Sequence, residues 1–231
     1  MIKPIPPAAL HPPGQRMVLQ DLWKSAIGCT ILYGMSFLNH QLYIERIDAY
    51  IDPLIPRDRA IVTHGHADHA RFGHKHVIAT PDTVEIMKVR YGENAAETWQ
   101  PLPYRTPLDL GKGVTLTLYP AGHILGSAQA LLEYNGERIV VTGDFKRGTD
   151  TTCEDFEVVP CDILVTEATF GLPVFQHPDP KDEIQKLLDS VCDNPERAHL
   201  VGAYALGKAQ RIIRLLREAG YHSRYTCMAR R

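Results

Sequence analysis

Apolar residues along the chain fall mostly in short runs bounded by turn-forming residues, and only a few segments carry a helical stripe. The start is different. Pro4, Pro6, Pro7, Pro12 and Pro13 predict an extended or disordered opening. Met17 to Leu38 is apolar enough for a helix, weakened by Gly28 and Gly34, and residues 1–41 read as a poorly specified lead-in. From Gln41 the pattern sharpens. Strands are predicted at Leu42–Ile44, Ala49–Ile51, Arg59–Thr63, Val77–Ala79, Val114–Tyr119 and Asp162–Thr166. Ala128–Tyr134 and Arg138–Thr142 flank Asn135-Gly136, the signature of a two-residue hairpin turn. Pro81 opens a helix reaching about Val89, and Asp68 to Phe72 is expected to begin another. Asp182–Cys192 and Gly207–Ala219 read as amphipathic helices, with a strand at Leu200–Ala203 between them. Many strands interrupted by few helices predict an α/β architecture of layered sheets.

The 231 residues suit one domain, or one domain and part of another, and 44% hydrophobic content supplies a sizeable core. With 25 Lys and Arg against 27 Asp and Glu, the formal net charge is −2. Bulk charge therefore does not announce a nucleic-acid binder, and any basic surface must be local. The five cysteines are scattered without a CxxC pair, as expected of reduced thiols in a cytoplasmic protein. Ala26 to Leu38, the longest apolar stretch, is too short to cross a bilayer, so no membrane association is expected. A Pro-rich run, not an apolar one, follows Met1-Ile2-Lys3, unlike a signal peptide.

Candidate chemistry gathers at strand ends. His64, His66, Asp68 and His69 follow the strand ending at Thr63. His123, Asp144 and Glu167 follow the strands ending near Tyr119, Thr142 and Thr166. Imidazole and carboxylate are the usual ligands of Zn²⁺ and related ions. Three histidines and an aspartate within six residues are costly to cluster unless something coordinates them. One ion would take His64, His66 and His123 and keep a position open for water, with Gly65 and Ala67 small enough to leave it room. A second would take Asp68 and His69, with Asp144 bridging, at about 3.5–4 Å from the first. Zn²⁺ is the expected metal, as one or two ions, with Mn²⁺ as the other candidate. His11, His40, His74, His76, His177, His199 and His222 read as ordinary surface or core residues.

The motif His64-x-His66-x-Asp68-His69, with His123 and Asp144 downstream, resembles the signature of the metallo-β-lactamase superfamily. Asp52 matches that family's first motif, an aspartate that orients the metal loop. Pro120–Ala128, Thr166–Gly171 and Ala203–Arg211 resemble motifs of its nucleic-acid-processing branch, the β-CASP nucleases. Phe170–Pro173 and Tyr204–Gln210 are most similar to bacterial ligase-associated DNA exonucleases. The resemblance covers about residues 42–220 and implies an αββα sandwich. Residues 42–180 would form the metallo-β-lactamase domain, and residues 181–231 the start of an inserted β-CASP-like region.

The activity so implied is phosphodiester hydrolysis on DNA, by an exonuclease linked to repair and ligation, with a DNA ligase as a partner. Water activated by the metals attacks phosphorus. Asp68 is ligand and orienter of that water, Glu167 supports an acidic histidine, and Lys208 and Arg211 lie near the phosphate backbone. A solvated helix face is the plain alternative for Lys208 and Arg211, and an ordinary strand-end carboxylate for Glu167. Members of the branch carry two further histidine motifs beyond this region. His222 matches neither, so the chain is expected to be C-terminally truncated, its sandwich incomplete, its second metal weakly held and its activity poor. The alternatives are an RNA-processing nuclease, a small-molecule hydrolase of glyoxalase or lactonase type, and an inactive metal-binding remnant. The Gly207–Arg211 segment speaks against the small-molecule hydrolase.

Overall fold

The computed structural model of the protein describes residues 16–19 and 37–222. The helix expected across Met17–Leu38 is not formed at its start. Arg16–Leu19 is instead a strand, β1, and the intervening residues lie outside the described ones. It pairs in parallel with Ile163–Thr166, which supplies hydrogen-bonding partners that a local pattern cannot foresee. In chain order the next elements are β2 (Tyr43–Ile44), β3 (Ala49–Ile51), β4 (Arg59–Ile61), β5 (His74–Ala79), α1 (Pro81–Tyr91), β6 (Ala96–Pro101) and β7 (Leu108–Gly111). Then come β8 (Val114–Pro120), β9 (Ala128–Tyr134), β10 (Glu137–Val141), β11 (Ile163–Thr166), α2 (Pro180–Asp193) and α3 (Lys208–Glu218).

Two sheets result. One has the order β1-β11-β10-β9-β8-β7, antiparallel from β7 to β10 and parallel from β10 to β1. The other has the order β2-β3-β4-β5-β6 and is parallel apart from the short β2–β3 pair. Alternation decides which face looks inward. Val114, Leu116 and Leu118 of β8 are fully buried, as are Ala130, Leu132 and Ile139 from the neighbouring hairpin. They meet Ile44, Ile51, Ile61 and Ile78 of the second sheet in one continuous core. The opposite face of the second sheet buries Ala60, Val62, Val77 and Ala79 against Val84 and Met87 of α1. The expected α/β class with layered sheets is therefore present, with a helix on one outer face.

The hairpin turns at Asn135 (φ 49°) and Gly136 (φ 82°), both left-handed, as a type I′ turn needs. β6 and β7 were not expected, since their exposed positions and intervening prolines blur the alternation. Two expected elements are absent. Leu200–Ala203 forms no strand and is exposed. It connects α2 to the turn before α3, and its side chains stay in solvent, so the alternation of a buried strand has nothing to pack against. The helix expected from Asp68 is a single turn, with the His69 and Ala70 amides both donating to His66 O. β5 begins at His74, which leaves too few residues to propagate a helix.

Candidate metal centre

β4, β8 and β10 deliver their loops to a common place. His64, His66, His123 and Asp144 each offer one ligand atom, and these atoms all lie within 4.8 Å of one another. His64 is fully buried, and Asp144 and His123 are partly exposed, so the cluster is floored by protein and open on one side.

Asp52 organises the first loop. Its Oδ1 accepts from the Thr63 amide at 2.7 Å, and its Oδ2 accepts from Thr63 Oγ1 at 2.6 Å. Oδ2 also lies 2.8 Å from His69 Nδ1. Asp52 adopts a left-handed backbone (φ 46°), which aspartate tolerates better than most residues. The orienting role that the resemblance implied for Asp52 has this geometric counterpart. Gly65 has a further reason to be small. A Cβ there would stand 2.6 Å from Ile86 Cγ2, so its smallness makes room for α1. Arg90 of α1 donates to Gly65 O and holds the loop from the same side.

The second loop is tied down by Ser127, whose Oγ accepts from the amides of His123 (3.0 Å) and Ile124 (3.1 Å). Gly126 O in turn accepts from Thr80 Oγ1 (2.6 Å) and Thr83 Oγ1 (3.0 Å). The start of α1, capped by Thr80, is thereby fastened to the loop that carries His123. In the third loop, Asp144 stands between two groups. Its Oδ2 is 3.8 Å from His64 Nε2 and 3.7 Å from His123 Nε2, and its Oδ1 is 3.3 Å from His69 Nε2.

Hydrogen bonding dictates which nitrogens face inward. Thr63 Oγ1 gives its one hydrogen to Asp52, so it accepts from His64 Nδ1 at 3.1 Å. That leaves His64 Nε2 with a lone pair. Leu206 O can only accept, and it lies 3.2 Å from His66 Nε2, so in the metal-binding neutral ring Nδ1 keeps the lone pair. These two nitrogens are 3.1 Å apart, and His123 Nε2 is likewise 3.1 Å from His66 Nδ1. Lone pairs so placed repel unless a cation sits among them. Tetrahedral Zn²⁺ with bonds of about 2.0–2.1 Å holds its nitrogens about 3.3 Å apart, so the residues present fit such an ion.

Electrostatics agree. Burial pushes the His64 imidazole well below its ordinary value, and the neighbouring His69 charge pushes the same way. Burial lowers His123 too, partly offset by Asp144. Both rings therefore stay neutral, the form that binds metal. Burial would also lower His69, but hydrogen bonds to Asp144 and Asp52 and their negative charge hold it up, to about 10. Asp144 stays ionised well below the usual carboxylate range, because His69 outweighs its desolvation.

The remaining expected residues are placed less centrally. Asp68 has a side chain 74% exposed, 4.0 Å from His69 Nε2. Glu167 accepts from the Thr169 amide at 2.6 Å and favours the charged form of His123 from a distance. Lys208 Nζ lies 5.3 Å from the Tyr204 ring centroid, and Arg211 Nε pairs with Asp150 Oδ2 at 3.2 Å. His74, expected to be an ordinary core residue, is buried with Nδ1 accepting from the Arg57 amide. Sequence reasoning missed Thr63, Ser127, Asp150 and the Leu206 carbonyl. Ser127 lies inside a motif already singled out, but hydroxyl and backbone roles carry no spacing signal.

Imidazoles and a carboxylate gathered at the strand ends of a two-sheet sandwich, on a His-x-His-x-Asp-His loop, form an arrangement of the metallo-β-lactamase kind. No family model matches the chain. A probable DNA ligase of Opitutus terrae is 30% identical over 186 residues, covering 78% of this chain and 18% of that protein. An RNase J-like protein of Methanocaldococcus jannaschii is 27% identical, covering 69% of this chain and 43% of the relative. The Drosophila melanogaster cleavage and polyadenylation specificity factor 73 is 35% identical over 109 residues, covering 46% and 16%. The chain thus spans less than half the length of each of these relatives. Among solved structures, an Enterococcus faecalis protein of unknown function gives a TM-score of 0.49 at 16% identity, covering 68% of this chain and 44% of that one. These similarities and the site together support a place in the metallo-β-lactamase superfamily, in its β-CASP nuclease branch.

Proposed function

We propose that the protein is a metal-dependent phosphodiesterase acting on DNA. The observation that carries this is the inward-facing set of His64 Nε2, His66 Nδ1, His123 and Asp144, at separations that suit one cation. These four residues would hold the first ion, Zn²⁺ or Mn²⁺. His69 and Asp68 flank a second position on the far side of Asp144. When bound, metal of this type lowers the pKa of water and stabilises charge on the attacked phosphoryl group. Asp52 and Ser127 hold the histidine loops in place for this chemistry. Asp68, with a side chain 74% exposed beside His69, would orient the attacking water. Glu167 belongs to the acid–base apparatus. Lys208, on the ring of Tyr204, contributes a positive charge for the phosphate backbone.

The reading of DNA draws on the Opitutus terrae relative, whose similarity covers 78% of this chain and whose name is that of a DNA ligase. Exonuclease action in repair and ligation, with a DNA ligase as partner, follows that reading. RNA is the second reading, supported by the RNase J-like relative. In this proposal residues 42–180 form the metallo-β-lactamase domain, and residues 181–231 belong to a β-CASP-like insertion. Among the described residues no helix is long and apolar enough to cross a membrane.

The test is a cleavage assay with the purified chain and added Zn²⁺ or Mn²⁺. End-labelled single-stranded DNA, duplex DNA and RNA are compared, with His64→Ala as the control. Metal-dependent shortening of DNA, lost in His64→Ala, is expected. Cleavage of RNA alone selects the second reading. Metal content unchanged in His64→Ala overturns the site.

A further inference from the structure

We propose that the turn from Tyr204 to Gln210 is a clamp on the metal centre, so that docking of α3 sets how tightly the metal is held. The inference rests on the reading of His64, His66, His123 and Asp144 as metal ligands, and it assigns positioning roles to Leu206, Gly207 and Arg211.

The turn touches the first two ligand-bearing loops, and Arg211 just beyond it is tied to the third through Asp150 and Lys146. Leu206 O accepts from His66 Nε2, fixing both the ring's orientation and the tautomer that turns Nδ1 inward. Gly207 lies against the second loop. A Cβ on it would stand 2.4 Å from Ile124 Cγ2, next to His123, and 3.9 Å from His66 Nε2. Its backbone is left-handed (φ 88°), so glycine is needed for both space and conformation. Arg211, one turn into α3, pairs with the buried Asp150, which also accepts from Lys146 Nζ at 2.8 Å. The Lys146 amide donates to Ala121 O, and Lys146 is two residues beyond Asp144. Glu218 at the far end of α3 accepts from Thr151 Oγ1.

The turn is itself rigid. Gln210 accepts from the Gly207 amide at 2.7 Å and donates to Ala205 O at 2.9 Å. Tyr204 O accepts from the Ala209 amide. A carbonyl presented by so braced a turn is a fixed partner for His66, whereas a solvated His66 ring would sample both tautomers and other rotamers. Loss of such a partner to a metal-binding histidine typically weakens metal binding about 10–100-fold.

The experiment uses the full chain loaded with Zn²⁺, with affinity read by competition against a chromophoric chelator. The visible spectrum of the Co²⁺-substituted protein reports the ligand field, which a merely structural role would not move. Gly207→Ala is expected to weaken Zn²⁺ about 10–100-fold and to alter the Co²⁺ spectrum. Arg211→Met should move both in the same direction, and Arg211→Lys should recover part of the loss. Far-UV circular dichroism checks folding, and if Gly207→Ala does not fold, the Arg211 pair decides. Wild-type affinity and spectrum in the folded variants overturn the clamp while leaving the metal centre standing. Zn²⁺ binding that is absent from the wild-type chain, or untouched by His64→Ala, overturns the metal reading instead.

Discussion

Asp52 shows how much of the centre depends on one side chain that binds no metal. Its two oxygens satisfy the Thr63 amide, the Thr63 hydroxyl and His69 Nδ1. Removing it leaves the Thr63 amide and hydroxyl without their acceptor in a site where Thr63 is 1% exposed. It also frees Thr63 Oγ1 to donate elsewhere, and with that the tautomer of His64 is no longer imposed. Asp52→Ala is expected to destabilise the fold by about 1–3 kcal/mol in urea unfolding. Zn²⁺ should weaken in the same variant by about 10–100-fold. Wild-type values for both would deny Asp52 its organising role. At this scale the histidines and acids were legible, because their spacing in the chain matches the demands of a shared ion. Thr63 and Ser127 were not, since a hydroxyl is called on by whatever loop happens to fold beside it.

Among the elements, α3 is the one whose placement rests most on charge. Few of its residues are buried, Leu216 being the deepest, and its polar links to the sandwich include Arg211 with Asp150 and Glu218 with Thr151. The Asp150 carboxyl is buried. Desolvation alone would raise its pKa, but hydrogen bonds from Lys146 and Thr152 and the Lys146 charge hold it below its ordinary value. A depressed folded pKa contributes stability that is present above the unfolded value of about 3.9 and lost as pH falls through the folded one. Asp150→Asn is therefore expected to destabilise the protein at neutral pH by about 1–3 kcal/mol, discounted for the partial exposure of Lys146 and Arg211. The difference from wild type should shrink below about pH 4. Urea titrations at pH 7 and pH 3 check the sign, and a gap that widens in acid would contradict it. Helices α1, α2 and α3 were readable from their caps and stripes. Strand β1 was not, because its ladder partner β11 lies more than a hundred residues away.

In the whole molecule, the centre stays put because two sheets share one core and present their loops at one edge. Leu118 of β8 is fully buried in that core, two residues from the strand end that leads to His123. Leu118→Ala is expected to cost about 2–5 kcal/mol. Val89→Ala, at a position 88% exposed on α1, should stay within about 0.5 kcal/mol of wild type. Thermal and urea unfolding of the two variants measure the contrast, and equal effects would mean the core is not where the structure puts it.

By itself the sequence determined the layered α/β class, the hairpin at Asn135-Gly136 and the chemical types at the strand ends. These are local facts: side-chain period, turn chemistry and ligand spacing act within a few residues. Tertiary structure alone decided that Gly65 yields to Ile86, that Arg211 answers Asp150, and that Leu206 O meets His66. Each of those contacts joins residues far apart in the chain, and His66 and Leu206 are separated by 140 positions. No local pattern encodes such a meeting. It follows from how the sheets stack, and from which polar groups burial then forces to find a partner.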